Sequence, residues 1–203
     1  MKSDFAKAKL FAELASEARA CLICKAMQDK TAVLSELNGN LDPKVLFIAE
    51  APGRQGADRT RKPFSGDKSG ANFQVLLDSI DLKREEIFIT NAVLCSPRKE
   101  SGANRKPTKN EIKNCSNYLK GIINLINPNL IATLGSVALE ALKTIENHQF
   151  TLKTYAGSLH KWNRRLLIPL YHPSPQVVIT VRKMPQQLAD FQTLKKAILL
   201  KEV

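Results

Sequence analysis

Four short runs of apolar, often β-branched residues recur along the chain, each ended by turn residues or a polar loop. They are KVLFIAE from Lys44, EIFITNAVL from Glu86, NLIATLG from Asn129 and RLLIPLY from Arg165. Unbroken apolar runs of this length are the pattern of strands buried on both faces, as in a parallel sheet. Parallel neighbours need crossover connections, and the intervening segments carry helical spacing. SGANFQVLLDSI puts Phe73, Leu76, Leu77 and Ile80 on one helix face. TKNEIKNCSNYLKGIINLI opens with a capping box, Thr108 followed three residues on by Glu111, and stops at Asn127-Pro128. SVALEALKTI follows a glycine, and MPQQLADFQTLKKAILL lies near the end. This alternation predicts an α/β fold: a single three-layer α/β/α domain over residues 1–203, built on a central, mainly parallel four-stranded sheet with its functional loops at the C-terminal strand ends. Residues 1–25 are expected to supply an amphipathic helix and a first cysteine pair, and residues 96–109 an irregular basic loop.

Charge narrows the partner. Lys and Arg number 31 against 19 Asp and Glu, a net charge of +12. A surface built from this chain attracts a polyanion, and nucleic acid leads the candidates. No run approaches the roughly 18 consecutive apolar residues of a membrane span, and the N-terminal stretch does not read as a signal peptide. The expectation is a cytoplasmic, nucleoid-associated monomer with no membrane partner, in a compartment where thiols stay reduced.

The four cysteines then need a use other than disulfides. Cys21 and Cys24 form CLIC, and Cys95 and Cys115 flank the basic loop. A Cys-x2-Cys pair directs two thiolates at one metal site, and two further cysteines complete a four-thiolate set. Four soft ligands suit tetrahedral zinc or an iron-sulfur cluster, and spacing does not separate the two.

The loops after the strands carry the chemistry. EAPG, Asp58 and RKPFSGD follow the first run, TNAVLC with Asn91 follows the second, and YHPSP with His172 follows the last. In a parallel sheet these loops gather on one edge, bringing acids, an aromatic ring, an amide and a histidine together. Taken singly, each has a plainer use: Asp58 as a salt-bridge partner of Arg59 or Arg61, Asp67 as a helix N-cap, and His148, His160 and Trp162 as structural residues around a solvated HKWNRR hairpin.

Together, EAPG, PFSGDKSG, TNAVLC and YHPSP within the cysteine frame resemble the motifs of the uracil-DNA glycosylase superfamily, in particular its iron-sulfur-containing fourth and fifth families. EAPG resembles the fourth family and GADRTRKPFSGDKSG the fifth, and the resemblance runs from about Cys21 to the last helix. It implies an enzyme that flips uracil, with other deaminated bases possible in the fifth family, out of single- or double-stranded DNA. It then hydrolyses the N-glycosidic bond and leaves an abasic site for base excision repair. The alternative is a non-catalytic iron-sulfur protein that binds DNA.

The resemblance also implies roles. Cys21, Cys24, Cys95 and Cys115 would hold a [4Fe-4S] cluster, zinc being the second choice. Asp58 is the first candidate to activate water and Glu50 the second, while His172 would donate to the leaving base. Phe64 would stack on the flipped ring and Asn91 read its Watson-Crick edge, with Ala51, Pro52 and Gly53 lining the pocket. Pro173, Ser174 and Pro175 would press into the duplex, helped by Gln176 and Val177. Arg98, Arg105, Lys106, Arg182 and Lys183 would meet phosphates. Such a set answers the chemistry, because glycosidic cleavage builds positive charge on the sugar and negative charge on the base.

Overall fold

A computed structural model describes residues 2–200; positions 1 and 201–203 of the expected domain lie outside them. The chain opens with helix α1 (Lys2–Arg19), then strand β1 (Val45–Ala49), a single-turn α2 (Ala57–Thr60), α3 (Lys68–Asp78) and β2 (Ile87–Asn91). It continues through α4 (Lys109–Ile126), β3 (Leu130–Leu134), α5 (Ser136–Ala141), α6 (Leu152–Tyr155), the hairpin of β4 (His160–Trp162) and β5 (Arg165–Leu170), α7 (Pro175–Thr180) and α8 (Met184–Leu199).

The sheet order is β2-β1-β3-β5-β4, parallel except for the β4–β5 pair. The sheet therefore has five strands where the sequence predicted four. The addition is three residues long, HKW, and only Trp162 of it is buried, so it has no apolar run to announce it. The hairpin itself is as expected: Asn163 and Arg164 both take positive φ, 45° and 58°, as a two-residue turn between twisted strands requires. Trp162 is not solvated, however. It is 4% exposed and donates Nε1 to the Glu146 carbonyl at 3.0 Å.

Side-chain alternation along the strands divides the interior into two cores. Leu46, Ile48, Phe88, Ile131 and Leu167 face α1, α4 and α5; Val45, Phe47, Ile87, Ile89, Ala132 and Ile168 face α3 and α8. Phe73, Leu76, Leu77 and Ile80 of the predicted α3 face are all buried in the second core. The capping box of α4 is present, with Glu111 N–H donating to Thr108 Oγ1 at 3.2 Å and Thr108 N–H to Glu111 Oε2 at 2.8 Å. That helix ends at Asn127, which takes the left-handed conformation that stops a helix.

The strand order sets the functional edge. From β1 the chain crosses to β2 on one side, while β3 leads to β5 on the other, so the loops after β1 and β3 diverge and leave a crevice at their C-terminal ends.

Candidate active site

β1 and β2 run in register, Ala49 beside Asn91, and the pairing carries on past the strands: Ala92 N–H donates to the Ala49 carbonyl at 2.8 Å and Val93 N–H to that of Glu50 at 3.1 Å. This puts Glu50 and Asn91 at the neighbouring C-terminal ends of β1 and β2. Asn91 is 4% exposed, and its Nδ2 has no hydrogen-bond partner, nor do the buried hydroxyls of Thr90 and Thr133 at the same strand ends. An unmet buried donor is rare because it forfeits a hydrogen bond available in water. Such an amide fits a ligand that supplies the missing acceptor.

Glu50 is half-buried, and burial raises its carboxyl above the ordinary glutamate range, with Lys106 pulling the other way. Ala51, Pro52 and Gly53 continue the loop, and the Gly53 carbonyl accepts from the N–H groups of both Gly56 and Asp58 at 3.1 Å, which folds it into a tight turn. Asp58 sits in α2, with its carboxylate bonded to Arg98 and 3.8 Å from Arg61. The expected partnership with Arg61 is thus present, with Arg98 added. Arg59 bonds the Gln55 and Gly66 carbonyls instead.

Phe64 takes positive φ, 49°, in the turn before α3. Its ring stacks on Phe73 at a 4.5 Å centroid separation and lies 5.5 Å from the His172 ring. The turn is pinned by close approach, since a Cβ at Gly70 would meet the Phe64 carbonyl at 2.6 Å. His172 follows β5 and passes over Gly135 at the end of β3. Burial pushes its imidazole down to about 4, an effect that the charge of Asp67 opposes. Asp67 is the N-cap of α3, as expected. Glu50, Phe64, Asn91 and His172 thus come from loops that share one edge of the sheet.

Two contacts carried no sequence signal. Asn72 in α3 donates Nδ2 to the Pro173 carbonyl at 2.9 Å and so anchors the His-Pro loop. Asn104, in the basic loop, accepts from the Arg54 N–H at 3.0 Å and draws that loop over the turn after β1.

The basic loop is more ordered than expected. Arg98 and Asn104 form a β-bridge, Arg98 bonds Ser96 and the Gly102 carbonyl, and Arg105 makes a double contact with Glu111 at 2.6 and 2.8 Å. Both guanidinium groups are occupied inside the protein, while Lys99 and Lys106 are exposed. Arg182 likewise bonds Asp190 and lies over Tyr171, with Lys183 exposed beside it. Pro173 is buried, Ser174 and Pro175 are half-buried, and Ile179 of α7 and Val181 just after it are exposed. His148 and His160 are structural, bonded to the Leu139 carbonyl and Ser158.

Cys21, Cys24, Cys95 and Cys115 line one cavity with Met27, Val93, Asn114 and Tyr118. Burial raises the Cys95 thiol to about 11 and that of Cys115 to about 12. Among the described residues, no three metal-binding side chains are grouped for a single ion. Four thiols around one cavity are the donor set of either an iron-sulfur cluster or a tetrahedral zinc.

An open, mainly parallel sheet with an acid, an aromatic ring, an amide and a histidine at its C-terminal edge is the frame on which comparison with known proteins places a glycosylase hydrolase. The Uracil DNA glycosylase superfamily model matches residues 37–194, and the chain belongs to that superfamily. It is 34% identical to the type-4 uracil-DNA glycosylase of Saccharolobus solfataricus over 94% of this chain and 87% of that protein. It is 32% identical to the type-4 enzyme of Thermotoga maritima, over 80% and 81%. A type-5 enzyme, from Pyrobaculum aerophilum, is 28% identical over 75% and 70%, so relatives of both types match. Among the described residues, no helix is long and apolar enough to cross a membrane.

Proposed function

We propose that this protein excises uracil from DNA by hydrolysing its N-glycosidic bond, the first step of base excision repair. The observation that carries this reading is the unpartnered Nδ2 of buried Asn91, at the C-terminal end of β2 on the sheet edge that also carries the loops of Phe64 and His172. Uracil offers an O4 acceptor to that donor and an N3-H to the amide oxygen, whereas cytosine reverses the pattern. The base must leave the duplex to reach it. Phe64 stacks on the flipped ring, and His172, neutral near pH 7, donates to the base oxygen on which negative charge grows.

Of the two acids, the geometry favours Glu50 to orient the water. Its carboxyl has no ion pair among the described residues, and burial shifts it toward a better base. Asp58 has its lone pairs directed at Arg98, which suits an anchor for the basic loop. The exposed Lys99, Lys106 and Lys183 are offered to phosphates, and Pro173, Ser174 and Pro175 form the segment that presses on the duplex.

The four cysteines hold a [4Fe-4S] cluster in this reading, supported by the shared cavity and by the type-4 and type-5 relatives. Its part is to fix the N-terminal segment and the basic loop against the sheet.

The test is incubation with labelled single- and double-stranded DNA carrying uracil, followed by detection of abasic sites. Alkali-sensitive breaks at uracil are expected, and none with the same DNA carrying cytosine. Binding without cleavage would instead establish the non-catalytic DNA-binding alternative.

A further inference from the structure

The NRR turn of HKWNRR walls a second hollow, on the far side of the sheet from the crevice. A cleft of about 370 Å³ opens between the end of α4, the loop joining α5 to α6 and the β4–β5 turn, lined by Asn127, Asn129, Glu146, Asn163, Arg164 and Arg165 around Pro128. Asn129 directly precedes β3 and Arg165 opens β5, so the cleft lies at the N-terminal ends of the parallel strands. The candidate active site lies at their C-terminal ends, a strand length of about 16 Å away.

The cleft is held from several sides. Arg165 donates from Nη2 to Asn127 Oδ1 and from Nη1 to the Asn163 carbonyl, both at 2.9 Å, which ties the end of α4 to the turn. Opposite, the Glu146 carbonyl accepts from Trp162 Nε1 at 3.0 Å and its Oε1 from the Asn163 N–H at 3.1 Å. Donors are still left over. Arg165 Nε is buried without a hydrogen-bond partner, which forfeits a bond available in water. The exposed side chains of Arg164 and Asn129 make no hydrogen bond or ion pair among the described residues. Glu146 is the acid on this wall, and two guanidinium groups outweigh it. The carbonyl end of α4 also opposes an anion, but the Ile126 carbonyl there is taken by Lys7 Nζ at 3.2 Å, which brings a further cation. Guanidinium groups joined by amide N–H donors suit a phosphate group, which offers several oxygens at once.

We propose that this cleft binds a phosphate group, giving the protein an anion site on the sheet edge opposite its active crevice. Arg165 supplies a fixed fork, Arg164 a charge free to close on the ligand, and Asn129 an amide donor. The phosphate belongs either to a nucleic-acid strand outside the crevice or to a free phosphate, and the chemistry recognised is the same. The site stands whether or not the protein excises uracil.

In the test, the full-length protein is titrated with inorganic phosphate at constant ionic strength. NMR follows the side-chain amides of Asn129 and Asn163 and the indole N–H of Trp162, the single tryptophan of the chain. Saturable shifts are expected at these groups. Arg164→Gln, an exposed change that breaks no internal bond, should weaken binding by at least about tenfold, the worth of one charge-assisted hydrogen bond. Arg165→Lys, which keeps the charge and loses the fork, should weaken it as well. A second titration uses a short single-stranded oligonucleotide without uracil. Shifts at the same groups, lost in Arg164→Gln, assign the site to a nucleic-acid strand, and shifts with inorganic phosphate alone assign it to a free phosphate. The proposal is overturned if neither probe gives a saturable shift at these groups, or if Arg164→Gln binds both as the wild type does.

Discussion

Arg98, in the loop between two cysteines, bonds the carboxylate of Asp58, in the loop after the first strand. Both side chains are 16% exposed, so the pair is largely out of water. Removing one member of such a pair strands the other. Arg98→Ala is expected to lower unfolding free energy by about 3 kcal/mol, the low end for a buried pair, and to speed proteolysis between residues 99 and 106. Calorimetry and limited proteolysis check both effects.

Glu50 and Asp58 separate under matched substitutions. Glu50→Gln is expected to slow single-turnover excision by at least about 100-fold with little change in melting temperature. Asp58→Asn should do the reverse in kind, costing stability more than chemistry. A larger catalytic loss in Asp58→Asn would return the water to Asp58.

Asn91→Ala removes the amide that reads the base. Excision of uracil should fall by about 100-fold or more while affinity for undamaged DNA, set by phosphate contacts, stays within about twofold. Gel-shift and excision assays on one preparation distinguish the two.

His172 makes stability depend on pH. Its folded pKa, about 4, lies below the unfolded value near 6.5, so both states hold it neutral above pH 6.5. As pH falls from 6.5 toward 4 the unfolded chain takes up the proton first, and the folded state loses stability over that window. His172→Gln is expected to flatten this part of the stability curve measured by urea unfolding, and to slow excision by about 100-fold.

The cysteines predict colour. Freshly purified protein should be brown, with absorption near roughly 400 nm, and Cys115→Ala should lose it. Because the Cys95 and Cys115 thiols hold their protons to about 11 and about 12 without a metal, assembly must displace those protons. Mild acid should therefore bleach the protein before it unfolds. A colourless protein carrying one zinc per chain would show that zinc takes the place of the cluster.

The sequence made the layered fold legible where apolar runs and caps were local: the parallel strands, the buried face of α3, and the Thr108–Glu111 box. It missed β4 because HKW lacks an apolar pattern. Phe64, Asn91 and His172 were legible as a set because strand order brings their loops to one edge. The contacts Asn72–Pro173 and Asn104–Arg54 join residues 101 and 50 positions apart, and no local pattern encodes either. Arg98 and Arg105 present themselves in the sequence as phosphate contacts, since charge alone does not reveal a distant carboxylate such as Asp58, 40 residues upstream of Arg98.

The unmet polar atoms of Thr90, Asn91 and Thr133 have a consequence for evolution and engineering. Each buried orphan typically sacrifices about 1–3 kcal/mol, so the crevice is where this fold is least satisfied with itself. Asn91→Leu would give a sturdier, inert protein, and stability screens run without an activity readout would drift toward that dead end.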